Sequence, residues 1–426
     1  MKFLVVAAAL SALASAASLA PTPTRVSYDG YKVYRVSVGS EIESIKSIIK
    51  KLNLQSWSGA PKARGLIDLV VPPTELKTFE RDTESMTTEL MHADLGLSIA
   101  EESNSTGSFS TLAAPDVTYF NTYHSIADHT TFLQSLQSSF PANSEIISAG
   151  KSNSGRDIPG IHIYGSGGKG SKKAIVWHGT VHAREWITTM TVEYAAWTLL
   201  TKYASDPTIK GFVDKYDYYI FPFVNPDGFA YTQTNDRLWR KNRQTNPGST
   251  CLGRDVNRNW PYVWAQSGGA STNPCAQDYK GPSAGDGTET KALKAQLDSL
   301  TTAAGGKGIQ MYIDFHSYSQ LFMTPYGYSC SAVLPNSAKY QSLAAGTANA
   351  IKSVNGLIFE YGPICQTIYQ TSGDGVDYAA DVAKAAYSFT VELRDTGRYG
   401  FVLPANQIVP AASEMWAGLK YLLANI

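Results

Sequence analysis

The chain is 426 residues long, beyond the roughly 100–200 residues of a typical domain, so two units or one large unit with an appendage is expected. Lysine plus arginine and aspartate plus glutamate number 36 each, giving zero formal charge without a long basic tract, which argues against a nucleic-acid partner. With 43% apolar and 17% charged residues, against a usual charged share of about 25%, the chain can bury a large core and falls outside the disordered class.

At the N-terminus, Met1-Lys2 is a short positive start, residues 3–13 are apolar, and Ala14-Ser15-Ala16 is a small-x-small cleavage site. Together they read as a secretory signal peptide, residues 1–16, and predict a secreted, extracellular protein. No later stretch approaches about 20 uninterrupted apolar residues, so no membrane anchor is expected. Export places the four cysteines, Cys251, Cys275, Cys330 and Cys365, in an oxidising compartment. None forms a CxxC, so two disulfides are expected rather than a thiolate metal site, with the connectivity open.

Residues 32–38 alternate with period two, as in a strand. Ile42, Ile45, Ile48, Ile49 and Leu52 then recur at helical spacing, with Lys46, Lys50 and Lys51 on the outer face. Two strands follow, the clearer at 65–71, and Pro73 opens a second helix that runs through Glu80. Residues 89–94 complete a strand-helix-strand-strand-helix-strand order, an open sandwich of two helices on an antiparallel sheet. Residues 98–114 are polar and without periodicity, carry a glycosylation sequon at Asn104, and read as a protease-accessible linker.

Downstream, strand-like runs at 145–147, 158–164, 173–177, 218–224, 310–315 and 386–392 alternate with helical ones at 187–203, 289–300, 337–354 and 407–423. That alternation predicts an α/β unit around a mixed, largely buried sheet. The expected division is 1–16 signal, 17–112 N-terminal unit with linker, and 113–426 main domain.

Two motifs are decoys. Residues 165–170 match GxGxxG, but the next run looks like another strand rather than a helix, so a hairpin turn is expected instead of a dinucleotide site. Residues 281–285 match GxSxG without the strand that a nucleophile elbow needs.

The informative segment surrounds His182 and Glu185, three residues apart where a strand ends and a helix begins, a spacing that lets an imidazole and a carboxylate converge on one cation. His316 stands at the end of a second apolar strand, where open α/β sheets place functional groups. Three such ligands leave the fourth zinc position open, the catalytic arrangement. Further blocks follow in order: Asn235-Asp236-Arg237-Leu238-Trp239-Arg240-Lys241, Asp255-Val256-Asn257-Arg258-Asn259-Trp260, Thr367-Ile368-Tyr369-Gln370, and a run from Val391-Glu392 to Gly400-Phe401.

With these blocks the whole chain resembles the zinc metallocarboxypeptidases of the A/B subfamily, the pancreatic-type enzymes made as preproenzymes. The resemblance implies an α/β/α-sandwich catalytic domain with one Zn²⁺ held by His182, Glu185 and His316, and Asp255 orienting a ligand imidazole. It implies that Glu392 takes a proton from the attacking water and returns one to the departing amine, while Arg240 helps stabilise the oxyanion. Arg258, aided by Asn257, matches the clamp for a terminal carboxylate, and Tyr369 the tyrosine that folds over it. Arg237 and Arg184 match cations along the substrate path.

Val376 occupies the position that carries an acid in basic-residue-specific members, so bulky apolar or aromatic C-terminal residues are the expected substrates, with Ile364, Met323 and Thr390 matching other pocket positions. Asp374 departs from the usual small residue, and a basic or mixed specificity through its carboxylate is the alternative. The resemblance also implies Cys251–Cys275 and Cys330–Cys365 disulfides. It further implies an N-terminal pro-domain that inhibits the site until a protease cuts the linker, and a monomer acting on peptide and protein C-termini.

Overall fold

The computed structural model describes residues 25–426 except 41, 60, 62–64, 105, 108 and 110–114. The expected signal peptide, residues 1–16, and residues 105, 108 and 110–114 of the expected linker therefore lie outside the described residues. The N-terminal unit has strands β1 (Lys32–Ser37), β2 (Gln55–Ser56), β3 (Leu66–Val71) and β4 (Thr88–His92), ordered β2-β3-β1-β4 with every neighbouring pair antiparallel. Because side chains alternate along a strand, this sheet has two working faces. Val36, Ile67, Leu69 and Val71 pack under Ile45, Ile48 and Phe79 of the two helices, Ile42–Lys51 and Leu76–Asp82. Val33 and Val70 point the other way and, with Trp57, pack against Leu238, Tyr318, Phe401 and Val402 of the main domain.

The expected polar linker begins later than its composition suggests. Leu95–Asn104 is a helix; Leu95 and Ile99 are buried in the interface, and Glu102 is buried against the main domain. Nothing local predicts this, because the partner that makes burial of Glu102 tolerable lies more than a hundred residues away. A short parallel pair, β5 (Thr106–Gly107) with β6 (Tyr123–His124), leads into the main domain.

That domain is built on an eight-stranded sheet: β7 (Ser144–Lys151), β8 (Asp157–Ile163), β9 (Ala174–Gly179), β10 (Asp217–Phe221), β11 (Ile309–Ser317), β12 (Leu321–Thr324), β13 (Glu360–Pro363) and β14 (Tyr387–Leu393). Its order is β13-β12-β14-β11-β9-β10-β8-β7. The four central strands, β14, β11, β9 and β10, run parallel; β12 joins β14 and β8 joins β10 antiparallel, while the edge strand β13 pairs parallel with β12 and β7 antiparallel with β8. The 165–170 turn is not a hairpin, since β10 inserts between β8 and β9. No helix starts there, so the dinucleotide motif remains a decoy.

Alternation sorts the sheet's residues between two cores. Ile175, Trp177, Met311, Ile313, Phe315, Phe389 and Val391 face the helices Trp186–Lys202, Ser337–Asn355 and Ile408–Asn425. Val176, Tyr312 and Phe221 face Leu293 and Leu297 of Thr288–Ser299 and Val376 and Tyr378 of Gly375–Asp381. Each large apolar side chain so buried contributes roughly 1.5–3 kcal/mol. Polar residues of the second face, Asp314, His316, Thr390 and Glu392, gather at the carboxyl ends of β11 and β14, where the site lies. Disulfides join Cys251 to Cys275 and Cys330 to Cys365. Among the described residues no helix is long and apolar enough to cross a membrane.

Candidate active site and metal centre

After β9 the chain turns sharply at Thr180, a β-branched residue with φ of 49°. Such a conformation is costly, and it is held by a hydrogen bond from the Thr180 N–H to Thr188 Oγ1 at 2.8 Å. The turn presents His182. Asn225 donates to the Val181 carbonyl at 3.1 Å, and the Ala183 N–H donates to the Arg240 carbonyl at 2.9 Å, tying the histidine loop to the Arg240 loop. Glu185 occupies the N-cap position of Trp186–Lys202, yet its side chain caps nothing. Instead it turns toward the histidines: Glu185 Oε1 is 2.8 Å from His182 Nδ1, and Oε2 is 3.1 Å from His316 Nδ1.

The two Nδ1 atoms are 3.1 Å apart, and ligand atoms of His182, Glu185 and His316 all lie within 4.8 Å of one another. Unprotonated ring nitrogens at that separation repel through their lone pairs unless a cation lies between them. All three residues are buried, and the N, N, O donor set suits zinc. Behind His182, Asp255 Oδ1 accepts from Nε2 at 3.1 Å, while Arg240 Nη2 donates to Asp255 Oδ2 at 2.8 Å. Burial opposes the Asp255 charge, but Arg240 and His182 hold its carboxyl well below the usual range. Arg240 also comes within 3.8 Å of Glu185.

Glu392 is brought beside His316 by the parallel register of β11 and β14. Its Oε2 is buried and has no hydrogen-bond partner among the described residues. Burial, reinforced by the neighbouring Glu185, pushes the Glu392 carboxyl up to about 8.

A pocket continues from the histidines past Asn257, Arg258, Met323, Ile364, Tyr369, Asp374, Val376 and Thr390. The Asn257 side-chain oxygen accepts from the Gly375 N–H at 2.9 Å, so its amide serves the pocket wall. Arg258 donates to the Asn257 carbonyl at 2.8 Å, while its Nε has no partner among the described residues. The Tyr369 ring lies 5.9 Å from that guanidinium. Asp374 lines the pocket with both oxygens engaged: one accepts from the Asp377 N–H at 2.8 Å, capping Gly375–Asp381, and the other from Thr371 Oγ1 at 2.6 Å. Burial raises its pKa.

Over the pocket mouth, a cavity of about 890 Å³ separates Leu54, Trp57 and Pro61 of the N-terminal unit from Arg184, Arg240, Arg258 and Tyr369. Arg184 is buried with its guanidinium 4.0 Å from the Phe401 ring, and neither its Nε nor its Nη1 has a partner among the described residues. Burial, with Arg240 nearby, pushes it down to about 10. Arg237 is not open to substrate in this chain, because Glu102 occupies it from the N-terminal unit.

Sequence reasoning missed Glu102, Asp68, whose carboxylate accepts from the Tyr318 hydroxyl, and Asp314, buried beside His316. For Asp314 a signal existed: a lone acid in an apolar strand, two residues before a ligand-type histidine and so on the same face. For Asp68 and Glu102 none did.

Two buried histidines and a glutamate that converge beside a pocket, with a further carboxylate next to them, define a zinc-dependent hydrolase. Comparison with known proteins gives the particular family. Residues 129–418 match the zinc carboxypeptidase family and residues 34–102 the carboxypeptidase activation peptide. The chain is 50% identical to Metallocarboxypeptidase A of Trichophyton rubrum over 419 residues, 98% of each protein. It is 35% identical to Carboxypeptidase A4 of Mus musculus, over 94% of this chain and 95% of that protein. Carboxypeptidase A from Helicoverpa armigera superposes with a TM-score of 0.80 at 27% identity, covering 93% of this chain and 98% of that one. Thrombin activatable fibrinolysis inhibitor shares the fold, with a TM-score of 0.84 at 24% identity, over 92% of this chain and 98% of that one.

The chain belongs to the zinc carboxypeptidase family, A/B type, and is a metallocarboxypeptidase proenzyme. Its substrates are peptide C-termini, and its N-terminal unit is the activation peptide, an intramolecular inhibitor.

Proposed function

We propose that the protein is a secreted, monomeric proenzyme, residues 17–112 being pro-domain and linker, which after cleavage removes bulky apolar or aromatic C-terminal residues. In this reading His182, Glu185 and His316 hold a single zinc ion. When bound, the metal supplies Lewis acidity toward the scissile carbonyl and the attacking water. Glu392, beside His316 and without a partner for Oε2, takes the proton of the attacking water and carries a proton to the departing amine nitrogen. Arg240, held by Asp255, offers its remaining N–H groups to the oxyanion without reorganisation. Arg258 binds the terminal carboxylate on the side of its Nε, which has no partner among the described residues, and Tyr369 closes over it. Arg184, a buried guanidinium with two unused donor nitrogens, positions the upstream peptide, and Arg237 joins it once Glu102 has left.

The convergence of both Nδ1 atoms and Glu185 carries the catalytic reading. The apolar preference rests on Val376, which is 1% exposed at the pocket, and on Asp374 having committed both oxygens to Asp377 and Thr371. A second reading survives on one observation: the Asp374 carboxylate does line the pocket and would meet a basic side chain. Secretion rests on the N-terminal sequence.

The test is turnover by protein trimmed within 105–114, on peptides that differ only in their C-terminal residue. Phe and Leu should exceed Lys and Arg by at least an order of magnitude, and a chelator should abolish all turnover until Zn²⁺ is restored. Equal turnover of Lys and Phe would favour the second reading, and chelator-resistant activity would overturn the zinc site.

A further inference from the structure

Asp314 and His316 stand two residues apart on β11, so their side chains share one face of the strand. Asp314 Oδ2 lies 2.9 Å from His316 Nε2, with both side chains buried. The opposite ring nitrogen, Nδ1, is the one that faces His182 and Glu185. An imidazole that offers Nδ1 to a metal carries its proton on Nε2, and a buried N–H needs an acceptor.

Only two groups approach that atom among the described residues: the Asp314 carboxylate and, at 3.2 Å, the amide nitrogen of Asn257. Because the Asn257 oxygen accepts from the Gly375 N–H, its nitrogen must be the end turned to the ring, and a donor cannot accept from another donor. The acceptor is Asp314. His182 and Asp255 stand in the same relation at 3.1 Å, so each histidine has its own carboxylate behind it.

No arginine or lysine pairs with Asp314, and its Oδ1 has no hydrogen-bond partner among the described residues. Thr390 reaches only its backbone carbonyl. A carboxylate buried on such terms destabilises a strand unless it has a task.

We propose that Asp314 is a positioning residue for the metal centre: it fixes the Nε2–H tautomer of His316 and aims Nδ1 at the ion. The proposal rests on His316 being a zinc ligand. Carboxylates behind ligand histidines typically support metal affinity by about 10–100-fold.

The experiment measures Zn²⁺ affinity of the full chain by competition with a chromophoric chelator, for the wild type, Asp314→Ala, Asp314→Asn and His316→Ala. Alanine should weaken binding about 10–100-fold and asparagine less, because an amide oxygen still accepts from Nε2. Thermal stability of the metal-free protein should not fall with either Asp314 variant. The visible absorption of the Co²⁺-substituted protein should shift in Asp314→Ala and return toward wild type in Asp314→Asn. If alanine destabilises the fold, the asparagine variant alone decides, by any loss of affinity without loss of metal-free stability. Affinities within twofold of wild type for both variants, or a loss matched by unfolding of the metal-free protein, would overturn the proposal. If the wild type binds no Zn²⁺, or His316→Ala binds as well as wild type, the zinc-site reading itself fails.

Discussion

Glu102 and Arg237 form a two-point ion pair across the domain interface, at 2.5 and 2.8 Å, with both side chains only 1% exposed. The same guanidinium donates to the Arg184 and Phe401 carbonyls and stacks 3.9 Å from the Trp186 ring, so its geometry is fixed from four sides. The pro-domain thus occupies, with its own carboxylate, the guanidinium proposed above to meet the upstream peptide. Removing one partner of such a buried pair costs about 3–5 kcal/mol, because the other charge stays desolvated. Glu102→Ala should therefore weaken docking by about 10²-fold or more in equilibrium constant, since 1.4 kcal/mol corresponds to about tenfold. Peptide turnover by the uncleaved chain should rise, while the fully trimmed enzyme, which has lost Glu102, should match wild type. Unchanged basal turnover would show that the pair does not hold the pro-domain.

A second contact across this interface is sensitive to protons. His92 is buried with Nδ1 2.8 Å from Ser98 Oγ and Nε2 3.0 Å from the Tyr399 carbonyl, and its ring meets Trp57 edge-on at 5.6 Å. Burial holds its pKa below the ordinary 6.5, with the Tyr399 carbonyl and Asp395 opposing that shift. The docked form therefore binds the proton less readily than the undocked one. Docking is strongest above the undocked pKa and weakens as pH falls below about 6.5 toward the depressed value. Hydrogen-exchange protection of Thr88–His92, corrected for intrinsic rates, should fall between pH 7.5 and 5. His92→Gln, which can still donate to the Tyr399 carbonyl, should flatten the dependence, and an equally steep fall in that variant would remove His92 as the cause.

Much of the chemistry was legible in the sequence, because spacing along a strand is preserved in space. His182, Glu185, His316 and Glu392 each sit at or just past a strand end, and parallel pairing of β9, β11 and β14 brings those ends together. What was hidden depended on long-range partners. The helix Leu95–Asn104 reads as linker because Glu101-Glu102-Ser103-Asn104 is polar, and the distant Arg237 is what makes Glu102 tolerable as an interior residue. The 165–170 turn looked like a hairpin because nothing local announces that β10, some fifty residues downstream, will lie between the two strands it joins. The short strands β12 and β13 carry too few residues to display a period.

Glu392→Gln separates metal binding from proton transfer. The side chain lies outside the His182, Glu185 and His316 set, and its Oε2 has no protein partner to lose among the described residues. The amide keeps the shape but cannot take up a proton. Zinc content should stay at the wild-type level while kcat drops by about 10²–10⁴-fold, the usual worth of a general acid–base group. Metal loss in this variant would instead make Glu392 part of the metal site.

The proposed apolar preference is tested at two neighbouring pocket positions, Val376 and Asp374. Val376 is the second residue of the helix Gly375–Asp381 and Asp374 is that helix's N-cap, so substitutions at either leave the backbone in place. Burial of a terminal phenylalanine ring is worth roughly 1.5–3 kcal/mol. A carboxylate at the Val376 position would meet that ring unpaired, at a cost of about 1–3 kcal/mol or more. Val376→Asp should lower kcat/KM for C-terminal Phe by about tenfold or more and raise it for C-terminal Arg, whose guanidinium pairs with the new acid. Asp374→Asn should leave both ratios unchanged, because asparagine caps a helix nearly as well and the native oxygens already serve Asp377 and Thr371. If Asp374→Asn instead abolishes turnover of Lys or Arg termini, its carboxylate faces the substrate, and the enzyme is of mixed specificity.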